Sequence, residues 1–139
     1  MVNYACLVKG CVIMAKLDGN ICPVDQSLKL FNKKWHIQII RDLFFGKKRF
    51  KEFKEDKPNL SNKVLTQCLK DLENNGLISK VTFEDNSKLT EYYLTEEGKR
   101  MNKIIYEIAM FTLDKEDAYS EDKRNEIIDL FRNTLEIEN

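Results

Sequence analysis

The sequence predicts a mainly helical domain that carries a small β-hairpin, and three observations support this. In residues 58–80, PNLSNKVLTQCLKDLENNGLISK, the apolar side chains Val64, Leu65, Cys68, Leu69 and Leu72 recur at three- and four-residue spacings, so they share one face of a helix. Asn62, Lys63, Thr66, Gln67 and Lys70 fall on the opposite face, where their donors and acceptors suit phosphates and base edges. Directly after Asn75-Gly76 the pattern changes from a period of 3.6 to a period of two. A short helix that hides one face, presents a basic and polar face, and runs into a hairpin is the reading half of a winged helix.

Length and composition set the frame. A chain of 139 residues suits one domain plus extra helices, and 42% hydrophobic with 33% charged residues argues against disorder. The formal net charge of zero says nothing in favour of nucleic acid, but its distribution does. Residues 29–80 hold 13 basic and six acidic side chains, whereas residues 81–139 hold eight basic and 15 acidic. Folded into one surface, the basic middle makes a positive footprint for a polyanion. No apolar run approaches the ~20 residues a membrane-spanning helix needs. Residues 4–17 contain Lys9 and Lys16 and follow no basic stretch, which argues against a secretory signal, so a cytoplasmic chain without a membrane partner is expected. Cysteines at 6, 11, 22 and 68 are too scattered for a disulfide scaffold and suit a reducing compartment.

In chain order, residues 1–21 read as an N-terminal arm. Asp18-Gly19-Asn20 is a turn signal, and Cys22-Pro23 opens the main domain, residues 22–98. A helix over residues 24–31 is expected to bury Val24, Leu28 and Phe31. The next, over 35–44, has apolar positions around most of its circumference and should be central. His36 within it has no second histidine with which to share a metal, and no metal site is expected. The basic run Lys47, Lys48, Arg49 leads into a short helix on which Phe50 and Phe53 face the core. Pro58 ends that helix, and Ser61 caps the reading helix over residues 62–74. Strands over 78–83 and 90–94, joined by a polar loop at 84–88, make the wing; Lys88 is its phosphate-contact candidate, beside the repelling Glu84 and Asp85.

Thr95 caps a helix with an apolar stripe at Met101, Ile104, Ile105, Ile108 and Phe111, and a final helix over about 120–135 carries Ile127, Ile128, Phe131 and Leu135. A winged helix core needs neither in full. Residues 99–139 are therefore assigned to dimerisation, with intramolecular packing as the competing reading. One histidine, no glycine-rich phosphate cradle and no nucleophile set with a reason to converge argue against an enzyme and against a cofactor.

The chain resembles the HxlR family of winged helix-turn-helix transcriptional regulators. Cys22-Pro23-Val24 matches the family's opening CP(V/I), Lys34-Trp35 its GGKW, Arg41-Asp42-Leu43 its R-(D/E)-L, and Gly46 with Arg49-Phe50-Lys51-Glu52-Phe53 its G-x-x-R-F-x-E-(L/F). LSNKVLTQCLKDLENNGLISK follows its reading-helix pattern, and Glu91-Tyr92-Tyr93-Leu94-Thr95-Glu96-Glu97-Gly98 follows E-Y-x-L-T-x-x-G. Asn32 and Lys33 replace the two glycines of GGKW, and the wing lacks the usual proline-containing tip.

The resemblance implies a homodimer on a pseudopalindromic operator, repressing or activating transcription, with the first and last segments making the dimer. DNA contacts carry over to Asn62, Lys63, Thr66, Gln67, Lys70 and Lys88, with Lys47, Lys48 and Arg49 nearby. Some members sense oxidants through an N-terminal cysteine, which places Cys22 as the redox candidate and an oxidant or small molecule as effector. A cysteine at a helix start has the chemistry for this; a structural apolar role is the competing reading. Cys6 and Cys11 fit no common metal or redox spacing with Cys22. A winged helix used only for protein–protein contact is the alternative function.

Overall fold

The computed structural model of the protein describes residues 22–115 and 117–138, except for the side chains of residues 86–88. The expected arm, residues 1–21, with Cys6 and Cys11, lies outside the described residues. The chain divides into two compact units, Met1–Asn32 and Lys33–Asn139.

The described part of the first unit is helix α1, Pro23–Leu30, with proline at its first position, where its missing amide hydrogen goes unused. Its apolar residues are not sequestered as expected: Val24 is 64% and Leu28 48% exposed, and the helix buries no residue. Three apolar residues spread over eight are too thin a stripe to specify burial alone.

The second unit begins with α2, Lys34–Phe44, which is central: Ile39 and Ile40 are fully buried. Gly46 follows with φ +95°, a left-handed conformation that ends the helix at little cost only in glycine. The short α3, Phe50–Lys54, buries Phe53, while the Arg49 N–H donates to Glu52 Oε1 at 2.9 Å and satisfies an amide at the helix start. Helix α4, Asn62–Asn74, starts where Ser61 Oγ accepts from the Val64 N–H at 3.1 Å. Leu65, Cys68, Leu69 and Leu72 are buried, but Val64 is 40% exposed and leaves the apolar face assigned to it.

Gly76, at φ +76°, turns the chain into β1, Ile78–Phe83. Its antiparallel partner is β2, Asn86–Leu94, in the register Ile78↔Leu94 to Thr82↔Thr90, with a bulge between Thr82 and Phe83. The connection is thus the turn at Glu84 and Asp85 rather than a loop over 84–88. A strand standing in solvent needs no apolar residues, so the polar stretch misled the period-two reading. After Ile78 every residue of β1 is exposed.

The expected single helix after Thr95 is two: α5, Glu96–Lys99, and α6, Asn102–Leu113, interrupted at Arg100 and Met101. The last helix, α7, Glu121–Thr134, is capped by Ser120. Thr95 ties the wing to these helices. Its N–H donates to the Leu77 carbonyl at 3.1 Å, its Oγ1 donates to the Gly76 carbonyl at 2.6 Å, and the same oxygen accepts from the Gly98 N–H at 3.1 Å. Gly98 lies so close to this crossing that a Cβ there would fall 2.0 Å from the Leu77 carbonyl oxygen.

Three residues assigned to a dimer face, Met101, Ile105 and Phe131, pack within their own subunit. Met101, at the break before α6, is 4% exposed, and Ile105 on α6 is 3% exposed. Phe131 meets Phe45 edge to face at 5.2 Å between ring centroids, Leu135 is buried, and Asn102 Nδ2 donates to the Leu135 carbonyl at 2.9 Å, so α7 folds back on the same core. Ile127 and Ile128 are half-buried. Ile104, Ile108 and Phe111 stay on the outside, 39%, 49% and 66% exposed. No helix of the described residues is long and apolar enough to cross a membrane.

Candidate nucleic-acid interface

The sealed side of α4 determines what its other side presents. With Leu65, Cys68, Leu69 and Leu72 turned inward, Asn62, Lys63, Thr66, Gln67 and Lys70 are all exposed on one outer face. Lys63 and Lys70 make no hydrogen bond or ion pair among the described residues, so two ammonium groups are available at no intramolecular cost. The other three are engaged. Thr66 Oγ1 donates to the Asn62 carbonyl at 2.7 Å, Asn62 Oδ1 accepts from Lys54, and Gln67 Nε2 donates to Asp71 Oδ1 at 2.8 Å.

Asp71 flanks this face and connects it to α2. Its Oδ2 accepts from Lys33 Nζ at 3.3 Å and pairs with His36 Nε2 at 3.1 Å. The Gln67 amide, then His36 and Lys33, hold its carboxyl below the ordinary carboxylate value of 3.8, against the opposing effect of burial. His36 is buried, and its Nδ1 has no partner among the described residues. No cluster suited to a metal occurs among the described residues.

The basic run is less free than its sequence suggests. Lys47 Nζ lies 3.0 Å from Asp56, Lys48 Nζ 3.6 Å from Glu91, and an Arg49 guanidinium nitrogen 3.9 Å from Glu91. Glu91 projects from β2 into this run, and the Tyr93 hydroxyl followed by Lys48 and Arg49 lowers its pKa. The Lys48 and Arg49 side chains remain about half exposed, 48% and 54%, within reach of a competing anion. The side chain of Lys88 lies outside the described residues.

Sequence reasoning missed Asp42 and Lys57, which support this region from beneath. Lys57 Nζ pairs with Asp42 Oδ2 in the interior and donates to the Phe53 carbonyl at 3.0 Å and to Asp56 at 2.9 Å. Arg41 closes on the other Asp42 oxygen at 2.7 Å. Asp56 is strongly acidified by Lys57 and then Lys47. The buried pair fixes α2 against the turn that leads to α4.

A cavity of about 480 Å³ opens between the end of α2, β2 and the end of α7. Leu43, Phe44 and Leu135 contribute apolar walls, but Lys47, Lys48 and Lys99 also line it, against a single carboxylate at Glu136, so its charged lining is mainly cationic.

The two cysteines that can be placed differ. Cys22 is the half-buried N-cap residue of α1. Cys68 is 1% exposed, and burial raises its thiol pKa, which suits a structural residue.

The model of the HxlR-like helix-turn-helix family matches residues 30–119. The chain belongs to that family. Among this HxlR-like chain's relatives, the HTH-type transcriptional regulator YtcD of Bacillus subtilis is 36% identical over 92 residues, 66% of this chain and 72% of YtcD. The HTH-type transcriptional regulator YodB of the same organism is 32% identical over 93 residues, 66% of this chain and 83% of YodB. The redox regulator HypR in its oxidised form superposes with a TM-score of 0.64 at 28% identity, covering 70% of this chain and all of HypR. Reduced YodB superposes at 0.58 with 29% identity, covering 72% of this chain and 99% of YodB. The family consists of transcriptional regulators and not enzymes.

Proposed function

We propose that this HxlR-like chain binds duplex DNA sequence-specifically as a homodimer on a pseudopalindromic operator, and that an oxidant or small-molecule effector changes its affinity for that operator. The observation that carries the reading is the outer face of α4, where Lys63 and Lys70, unpaired among the described residues, stand beside Thr66 and Gln67. Lysines on such a face attract phosphates, and an amide side chain can read a base edge in the major groove. Ile104, Ile108 and Phe111 offer an apolar surface for a second copy, which would set two reading helices about one duplex turn, ~34 Å, apart.

Two features support an effector. Cys22 sits half-buried at the start of α1, and YodB has been solved in reduced, quinone-bound and diamide-treated forms. The cationic cavity joins Lys47 and Lys48 to the wing residues Tyr92, Tyr93 and Leu94, so an anionic occupant would act on both.

Anisotropy titrations of duplexes from the chain's own upstream region, at two salt concentrations, test the reading. The expected result is binding that weakens steeply with salt; no duplex binding at low salt would overturn it. Equal operator affinity of reduced protein, oxidised protein and the Cys22→Ser variant would remove Cys22 as the sensor. The alternative, a protein–protein module, is favoured by Glu91, which occupies Lys48 and Arg49, and by the acidic wing turn. A folded protein that binds no duplex at low salt would support it.

A further inference from the structure

Two side-chain amides lie on the outer face of α4: Asn62, whose Oδ1 accepts from Lys54, and Gln67, whose neighbour Asp71 restricts how it can hydrogen-bond. A carboxylate only accepts hydrogen bonds, so Asp71 Oδ1, 2.8 Å away, obliges Gln67 to turn its NH2 group toward Asp71. The other end of the amide, the carbonyl Oε1, has no partner among the described residues. Asp71 cannot easily swing away. Its second oxygen is held by Lys33 Nζ at 3.3 Å and His36 Nε2 at 3.1 Å, and the His36 ring is 2% exposed. The same acceptor-only chemistry places a hydrogen on His36 Nε2, which donates to Asp71 Oδ2. A chain of fixed polarity therefore runs from the buried imidazole through the carboxylate to the exposed amide.

We infer that Asp71 is a positioning residue for base reading: it holds the Gln67 amide with its carbonyl oxygen leading, so that this position of the operator prefers a base carrying an amino group. In the major groove adenine N6 and cytosine N4 are donors, whereas guanine O6 and thymine O4 are acceptors. A leading carbonyl accepts from the first two and repels the others. The inference rests on the DNA-binding reading above and specifies what one of its contacts recognises.

The test uses the full chain. Fragments selected from a random duplex pool define the operator, and Gln67→Ala identifies the base position whose preference depends on the amide. Four duplexes that differ only at that position are then titrated. The unaltered protein is expected to favour adenine or cytosine by on the order of tenfold. Asp71→Ala is expected to flatten the preference at that position and no other, with the Gln67→Ala/Asp71→Ala pair no flatter than Gln67→Ala alone.

Asp71→Asn is the decisive variant, because it keeps the shape of the side chain and so keeps the fold. His36 and Lys33 are donors and will take the Asn oxygen, which turns the Asn NH2 group toward Gln67 and flips the Gln67 amide. The preference should then move to guanine or thymine. An amino-base preference that survives Asp71→Asn, a Gln67→Ala variant with unchanged base preference, or an Asp71→Ala variant that loses affinity equally for all four duplexes would each overturn the inference. Failure of the unaltered protein to bind any duplex at low salt would instead remove the DNA-binding reading beneath it.

Discussion

Lys57 and Asp42 form an ion pair inside the domain, with side chains only 3% and 4% exposed. Removing one partner of a buried pair typically costs up to about 3–5 kcal/mol, here tempered by Arg41 beside Asp42 and by Asp56 beside Lys57, whereas replacing both by apolar residues is often nearly neutral. Lys57→Met should therefore lower the urea midpoint sharply, and Asp42→Leu/Lys57→Met should recover much of the loss. A double variant less stable than Lys57→Met would contradict this.

Gly98→Ala places a methyl group against the Leu77 carbonyl, an oxygen that already accepts the Thr95 N–H. Backbone cannot yield as a flexible side chain does. A loss of about 1–3 kcal/mol or more is expected from overpacking, read as a lower midpoint in thermal unfolding. An unchanged midpoint would show that this crossing is looser than described.

Lys63 and Lys70 are unpaired among the described residues, whereas Arg49 shares Glu91 with Lys48. Lys63→Ala and Lys70→Ala should each weaken duplex binding across sequences and reduce the slope of log affinity against log salt by about 1. Arg49→Ala should reduce it less. Equal reductions from all three would argue that Glu91 exerts no restraint.

Phe111, the most exposed of the apolar trio on α6, is the sharpest probe of self-association. Phe111→Glu is expected to convert a dimer to a monomer in sedimentation velocity without loss of helical circular dichroism. A dimer that persists would move the interface elsewhere.

Acid should weaken the anchoring of α4 to α2 through Asp71, whose folded-state pKa lies below 3.8. A depressed carboxyl adds stability that is complete above its unfolded value and is lost as pH falls toward the folded one. The stability gap between the natural chain and Asp71→Asn should thus narrow as pH falls below about 4. A gap that widens in acid would reverse the assignment.

Periodicity was enough to place the reading helix: Leu65, Cys68, Leu69 and Leu72 mark its inner face, Ser61 its start and Gly76 the turn beyond it. Regular repetition also located the hairpin and the last helix. It missed whatever depends on partners from other elements. Nothing local announces that Asp42 awaits Lys57, that Glu91 faces Lys48 and Arg49, or that Asp71 joins Gln67 to His36. Met101 and Ile105 read as part of one continuous stripe with Ile104 and Ile108, because a stripe wide enough to cover two surfaces looks like one until the break at Arg100 is known.

The three bonds of Thr95 have a mechanical corollary. They join the foot of α4, at Gly76 and Leu77, directly to the origin of the C-terminal helices, and Gly98 closes the joint without a gap. No slack tether separates the two. The start of α5 and the base of α4 therefore share one hydrogen-bonded joint, so neither can shift without breaking a bond of Thr95.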